Sequence, residues 1–506
     1  MIGLQDKASN LTSRRAAWLW SLLALVLLVL GLGLRLYDLT DQPIDFHPTR
    51  QLRGAIIARS LYYQKSSEID DETRKTALAI QRATGQYEPP ILEAIVALTY
   101  RAAGGEYLWI ANIYSALLWL VGGVFLFDLA RRMTSPPGAV LALGYYLVLP
   151  FAVQASRSFQ PDPAMVMCII LACYALYRWG EKPSWKWAVL AGVFGGLAVL
   201  IKIMAAFILA AVAITVVLTT LGIRRLWRNP QVWVTAILMI LPAAIYYLGS
   251  QGYASDYLES RTVTYGRLLA DPAFYMRWLS LAQDLLGLAA ILLGLVGVAI
   301  SKPRNRLFLA SLWLGYLAYG LFFNYFMYTH SYYHLQLIPV VGLSLAPVGE
   351  MIYERIRLQA KIWQIALVGV LVVGTLFLSG LSIFDRDAAD YRGERAYWQA
   401  IAAELPVEGK ILALTQDYGL RLMYYGMRSI GLWPPRGERQ LSDLRGQQKE
   451  FADYFASKTE GKDYFLVTAF RQFDDQPDLK QYLRDHYPLI AEESGYLLYD
   501  LRNPLP

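Results

Sequence analysis

Within six residues, Asp45, His47 and Arg50 bring a carboxylate, an imidazole and a guanidinium together. A carboxylate takes a proton from an acceptor hydroxyl or amine, an imidazole shares that task, and a guanidinium grips phosphate. The trio stands just past the first long apolar run, where a membrane helix ends at water. Its echoes are Glu88, Arg157, Asp162, Lys202, His330 and His334. The expectation is that all of them meet on one side of a membrane.

Each residue also has a plainer reading. Asp162-Pro163 reads as a helix start, with Asp capping and Pro in the first turn. Asp45 reads as a solvated loop acid. Arg53 and Arg59 suit an interfacial helix that turns its arginines towards lipid head groups. Lys202 interrupts the apolar VLIKIMA, and snorkelling explains a lysine near a helix end. Its neutralisation nevertheless calls for polar partners, because a charge inside a membrane is costly. In Tyr328-Thr329-His330-Ser331-Tyr332-Tyr333-His334 the interfacial aromatic belt explains the tyrosines and leaves the histidines over. Glu88, His47, His330 and His334 offer metal-ligand types but no ligand spacing, so a metal is undetermined.

The elements that must position these groups are membrane helices. Of the 506 residues, 56% are hydrophobic and 17% charged, against roughly 25% charged in soluble chains; mean hydropathy is +0.33. The net charge of +7 sits between apolar runs, as membrane topology demands, and gives no ground for a nucleic-acid partner. Eleven segments approach the roughly 20 residues needed to cross hydrocarbon: 16–37, 107–130, 136–153, 162–179, 185–202, 203–222, 231–249, 278–300, 307–327, 332–350 and 362–384. The first lacks a small-residue cleavage site behind it and reads as a retained span.

Basic clusters at Lys7/Arg14/Arg15, Arg131/Arg132, Arg178/Lys182/Lys186, Arg224/Arg225/Arg228, Lys302/Arg304/Arg306 and Arg355/Arg357/Lys361 share one side if the amino terminus is cytoplasmic. The opposite side then holds loop 38–106, turn 154–161, Lys202, loop 250–277, turn 328–331 and the tail after 385. Cys168 and Cys173 are five residues apart in one apolar run, off a shared helical face, with no redox or metal spacing.

In loop 38–106, stretches 49–65, 68–84 and 89–103 read as helices lying on the membrane surface. A tilted span at 89–103 would invert every later loop and break the charge pattern. The tail, 386–506, has soluble composition. A helix over 391–404, strands at 410–415, 464–468 and 495–501, and helix-like 445–458 predict a small extracytoplasmic α/β domain. The transmembrane module is 1–385.

Several motifs arrive in a telling order: Asp45 after the first span; Tyr87-Glu88-Pro89-Pro90; Ser156-Arg157-Ser158 with Pro161-Asp162-Pro163; Gly196-Leu197-Ala198-Val199-Leu200-Ile201-Lys202; and His330-Ser331-Tyr332-Tyr333-His334 before Leu337-Ile338-Pro339. Together, over about residues 16–350, they resemble the GT-C glycosyltransferases of the protein O-mannosyltransferase and aminoarabinose transferase (ArnT-like) group. The resemblance implies a polytopic helical GT-C fold in the plasma membrane. It also implies inverting transfer of a sugar from a polyprenyl-phosphate donor to a glycan, lipid or protein acceptor on the extracytoplasmic face.

By the same resemblance Asp45 is the catalytic base, Asp162 assists or orients, and Arg50, Arg157 and Lys202 bind donor phosphate. Glu88, His330, Tyr333 and His334 line the substrate pocket. Two departures stand out. Asp45 is followed by Phe46-His47 rather than a second acid, which gives His47 part of that role. Pro89 replaces the lysine that usually follows the motif's glutamate. No cofactor is required, and a divalent metal is optional.

The competing classes are a lipid or solute transporter and a non-catalytic assembly protein. Transporters place polar residues at mid-bilayer in broken helices or repeats. Here the ionisable residues fall at one boundary and no repeat shows.

Overall fold

The structure, a computed structural model, describes residues 2–249, 263–444, 450–493 and 495–506. It forms two compact units. One comprises residues 1–39, 87–89 and 112–388; the other comprises 40–86, 90–111 and 389–506. Most of the first loop therefore folds with the tail, while Tyr87, Glu88 and Pro89 belong with the apolar helices.

The first unit is a multi-pass helical bundle. Every one of the eleven apolar segments is helical. Among the described residues, six helices are long and apolar enough to cross a membrane, or up to eight if two bent pairs are each one span. The Lys361–Asp387 helix buries only 6% of its apolar window, so its side chains face away from protein, as lipid contact requires. Inside the bundle Trp185–Ile201 packs against Pro230–Gly249 and Asp162–Glu181, and Pro136–Val148 packs against Leu337–Ile356. Gly196 makes the first contact possible: a Cβ there would stand 2.1 Å from the Leu238 carbonyl oxygen. Both cysteines are buried and free.

Two expected straight spans are broken. Segment 136–153 bends by 60° between Pro136–Val148 and Pro150–Ser156. Pro150 has no N–H to give the carbonyl four residues back. That carbonyl, on Tyr146, instead accepts the Trp119 indole N–H at 3.2 Å. Arg35, fully buried on the first helix, donates to the next carbonyl, Leu147 O, at 3.0 Å, and to Ser156 Oγ at 2.6 Å. Segment 278–300 turns by 95° between Pro272–Leu286 and Leu288–Ile300. The hinge is Gly287, whose φ of 82° suits a residue without Cβ. Of the expected loop 250–277, residues 250–262 lie outside the described residues.

The second unit carries a five-stranded mixed sheet of order β2-β1-β3-β5-β4, with β1 Ile411–Leu414, β2 Gly431–Leu432, β3 Tyr464–Val467, β4 Leu489–Glu493 and β5 Tyr496–Asp500. β1 pairs in parallel with β2 and β3, while β5 runs antiparallel to β3 and β4. All residues of β1 and β3 are buried, as parallel strands covered on both faces should be. Trp433, Phe455, Phe465 and Phe473 fill the core beside them. The predicted strands 410–415, 464–468 and 495–501 correspond to β1, β3 and β5. The two edge strands carry weaker signals: β2 has two residues, and β4 is largely exposed and bulged near Leu489. The expected helix 445–458 is observed as Phe451–Thr459, its first residues, 445–449, lying outside the described residues.

The first loop supplies helices Pro48–Tyr63, Asp71–Thr84 and Ile91–Ala103. The last has 13 residues, short of the roughly 20 that a span needs.

Candidate functional site

In the helical bundle three of the sequence-selected residues converge. Lys202 ends the Trp185–Ile201 helix in an extended conformation, so its side chain leaves the helix axis before Ala205–Leu221 begins. Its Nζ lies 2.8 and 2.9 Å from the two Asp162 oxygens and 3.9 Å from Glu88 Oε1. Asp162 opens the Asp162–Glu181 helix without serving as its cap, since Pro161 holds that position and no side-chain cap bond forms. Asp162 and Lys202 are 2% and 3% exposed. Snorkelling does not describe this lysine: its charge is turned inward onto two carboxylates.

Aromatic rings wall the cluster. Lys202 Nζ stands 5.0 Å from the Tyr332 ring centre and 5.8 Å from that of Tyr333, within cation–π range. Tyr333 is held between Phe326, at 5.0 Å, and Tyr319, at 6.2 Å, both nearly parallel to it. Tyr332 is the nearer ring, and in the sequence nothing beyond the interfacial aromatic belt marks it.

The two histidines of this stretch separate. His330 is half-buried and its Nδ1 is 2.7 Å from Thr329 Oγ1. His334 is fully buried, with Nδ1 2.7 Å from Tyr316 Oη and Nε2 2.9 Å from Met327 O. The Trp278 indole N–H is also 2.9 Å from Tyr316 Oη. Both ring nitrogens of His334 are thus engaged by protein groups, which is the arrangement of a core histidine.

Arg157 follows the Pro150–Ser156 helix and donates to Asp38 O at 3.1 Å. The same carbonyl accepts from Arg386, which also pairs with the Asp38 carboxylate at 3.3 Å. A cationic corner therefore forms where the first helix ends, a feature signalled in the sequence only by Arg157.

Asp45, His47 and Arg50 lie in the other unit, on the entry to Pro48–Tyr63. His47 caps that helix with φ 46° and ψ 66°, a strained left-handed geometry for a residue with Cβ. Asp45 is half-buried, and the Gln51 amide, which donates to Phe46 O at 2.8 Å, stands 3.4 Å from its Oδ1. Phe46 is buried edge-on against the His47 ring at 4.6 Å.

Further along this helix Arg59 overturns its sequence reading. Instead of facing head groups, its Nε lies 3.1 and 3.0 Å from the Glu106 oxygens. Its guanidinium stacks 3.8 Å over the Tyr424 ring and donates to the Tyr424 carbonyl. The Tyr424 hydroxyl donates to Glu106 in turn. Burial alone would weaken the charge on Arg59, yet the carboxylate beside it moves the pKa upward on balance. Burial, then Glu106, pushes the Tyr424 phenol well above its ordinary value. Among the described residues no three His, Cys, Asp or Glu side chains gather as a metal site.

The bundle's architecture has known counterparts. ArnT from Cupriavidus metallidurans, in a structure bound to undecaprenyl phosphate, superposes with a TM-score of 0.53 at 16% identity, over 96% of this chain and 97% of that one. The apo structure of the same protein gives 0.55 at 14% identity, over 97% and 98%. The Archaeoglobus fulgidus oligosaccharyltransferase, in a complex with zinc and sulfate, gives 0.55 at 14% identity, over 94% and 72%. The fold is that of the GT-C glycosyltransferases.

Residues 87–248 also match the family described as dolichyl-phosphate-mannose-protein mannosyltransferase. That segment contains Glu88, Arg157, Asp162 and Lys202. No curated protein sequence matches the chain. The family match and the GT-C fold together support the resemblance drawn from the motifs.

Proposed function

We propose that this protein is a membrane glycosyltransferase that moves a sugar from a polyprenyl-phosphate donor to an acceptor hydroxyl or amine. The observation that carries the reading is the buried Asp162–Lys202 pair with half-buried Glu88 beside it. It lies inside the segment that matches the mannosyltransferase family, in a fold shared with a protein solved with undecaprenyl phosphate. Buried ionisable groups in a membrane bundle are functional candidates.

The chemistry is a single displacement. The Asp45 carboxylate takes the acceptor proton. The acceptor atom bonds to the anomeric carbon as the carbon–oxygen bond to phosphate breaks, and the polyprenyl phosphate leaves with the electron pair. Attack opposite the leaving group inverts the anomeric centre. His47 beside Asp45 shares the proton, and Arg50 and Arg157 balance phosphate charge. Lys202 is engaged by Asp162, so its role is to hold that carboxylate in place while Glu88, Tyr333 and His330 contact the sugar. The acceptor is a glycan, lipid or protein. The positive-inside pattern favours a cytoplasmic amino terminus and transfer on the opposite face of the plasma membrane.

The test is transfer by purified protein in lipid nanodiscs, supplied with radiolabelled polyprenyl-phosphate sugars and candidate acceptors. Label moving to an acceptor, or to water, supports the enzyme. Movement of intact donor between leaflets without transfer supports a transporter instead.

A further inference from the structure

The carboxyl-terminal domain grips the segment bearing Asp45 from both sides. Before it, Asp41 is 3% exposed and its two oxygens accept the backbone N–H of Tyr391 at 3.2 and 3.3 Å. Beyond it, Arg59 is tied to Glu106, to the Tyr424 ring and to the Tyr424 carbonyl. Tyr63, one turn on from Arg59, adds a bond to Glu106 at 3.4 Å. Tyr391 and Tyr424 both belong to the tail, while Asp41, Arg59 and Glu106 belong to the first loop.

The tail spends backbone strain to present Tyr424. Asp417 and Tyr418 have φ of 49° and 56°, and Gly419 has 73°. Three left-handed residues in a row, two of them with Cβ, are costly and persist only where surroundings fix them. Here Arg421 fixes them, bonded to Asp417 at 2.5 Å and to Glu394 at 3.0 Å. The Leu420–Tyr425 helix starts directly from this turn and brings Tyr424 onto Arg59.

We infer that Arg59, Glu106 and Tyr424 form a clamp through which the carboxyl-terminal domain positions the Asp45 loop for proton transfer. The inference rests on the glycosyltransferase reading and on Asp45 as its base. Arg59 is a positioning residue: it acts through the Pro48–Tyr63 helix, whose start carries His47 and Asp45. A rigid helix transmits a shift at one end to the other, and small misplacement of a base lowers the rate of the chemical step rather than donor affinity.

The experiment compares full-length wild type with Arg59→Ala, Arg59→Lys, Glu106→Gln and Tyr424→Phe. Transfer rate is scaled to the folded fraction, and affinity for undecaprenyl phosphate is measured alongside. Expected for Arg59→Ala is a kcat loss on the order of 10²-fold with donor affinity within about twofold. Arg59→Lys restores part of it, because charge is kept and the two-pronged fork is lost. Glu106→Gln and Tyr424→Phe lose less. Unchanged kcat per folded molecule in Arg59→Ala, or a rise in KM with kcat intact, overturns the clamp while leaving the enzyme standing. If Arg59→Ala does not fold, unchanged kcat in Glu106→Gln overturns it. A wild type with no transfer at all brings down the glycosyltransferase reading and the clamp with it.

Discussion

Lys202 and Asp162, forty residues apart, form a two-pronged ion pair with both side chains almost wholly buried. Three features of the chain make it. The Trp185–Ile201 helix stops so that residue 202 turns inward, Asp162 sits at the start of its own helix, and Pro89-flanked Glu88 approaches as a second acid at 3.9 Å.

This pair predicts an asymmetry between single and double variants. Lys202→Met removes one partner of this buried pair, which costs roughly 3–5 kcal/mol. Replacing both, as Asp162→Asn with Lys202→Met, recovers much of that stability in thermal unfolding but none of the transfer activity. In a Lys202→Ala protein that folds, donor affinity stays near wild type. A tenfold weakening instead would return Lys202 to direct phosphate binding.

Asp45→Asn keeps the size and most hydrogen bonding of the side chain and removes the carboxylate proposed as the base. Proton transfer by a positioned group contributes typically 10²–10⁴-fold. Transfer activity should fall by about that factor while undecaprenyl phosphate binding is retained, measured on the same nanodisc preparation. Full activity would move the base elsewhere, with His47 the next candidate to substitute.

The chain's own pattern accounts for much of this arrangement and hides the rest for physical reasons. Apolar length made each helix of the bundle legible, and alternation of short apolar runs with polar stretches revealed β1, β3 and β5. Apolar content alone does not disclose a bend. Pro150 and Gly287 were present, but a proline inside an apolar run signals a kink only once Trp119 and Arg35 are seen serving the carbonyls it exposes. Lys202 is legible because a charge in an apolar setting needs partners, and Glu88 and Asp162 through the motifs that carry them. Arg59 is illegible for the opposite reason, since an arginine on an amphipathic helix looks the same whether it meets lipid, water or a distant Glu106. His334 shows the limit from the other side: an imidazole within an aromatic cluster reads as a site, yet it is held by Tyr316 and Met327.

A pH effect is expected in the carboxyl-terminal domain. Burial alone would raise the Asp478 pKa, but bonding to Arg439 outweighs it and holds the carboxyl below its ordinary value. A depressed folded-state pKa contributes stability above the unfolded value, about 3.9, and that contribution fades as pH falls through the folded one. Arg439→Gln should therefore lower the unfolding temperature slightly at neutral pH, as pairs this exposed contribute roughly 0–1 kcal/mol. The gap between variant and wild type should narrow in melts taken at pH values falling progressively below the ordinary carboxylate range.

Helix contact, finally, controls where Lys202 lies. Gly196 is six residues before Lys202, on the helix that Lys202 follows, and a Cβ there would fall 2.1 Å from Leu238 O on Pro230–Gly249. Backbone cannot yield as a side chain can, so Gly196→Ala must push the two helices apart, and overpacking of this kind costs typically 1–3 kcal/mol. Gly369→Ala is the control, because nothing lies within 4 Å of its Cβ position and alanine is the better helix former by about 1 kcal/mol. Thermal unfolding should show Gly196→Ala below wild type and Gly369→Ala at or above it. Transfer activity should fall in Gly196→Ala by more than its folded fraction does, since displacing this helix also shifts the lysine that holds Asp162. Activity that tracks folded fraction alone would show the ion pair tolerates the shift.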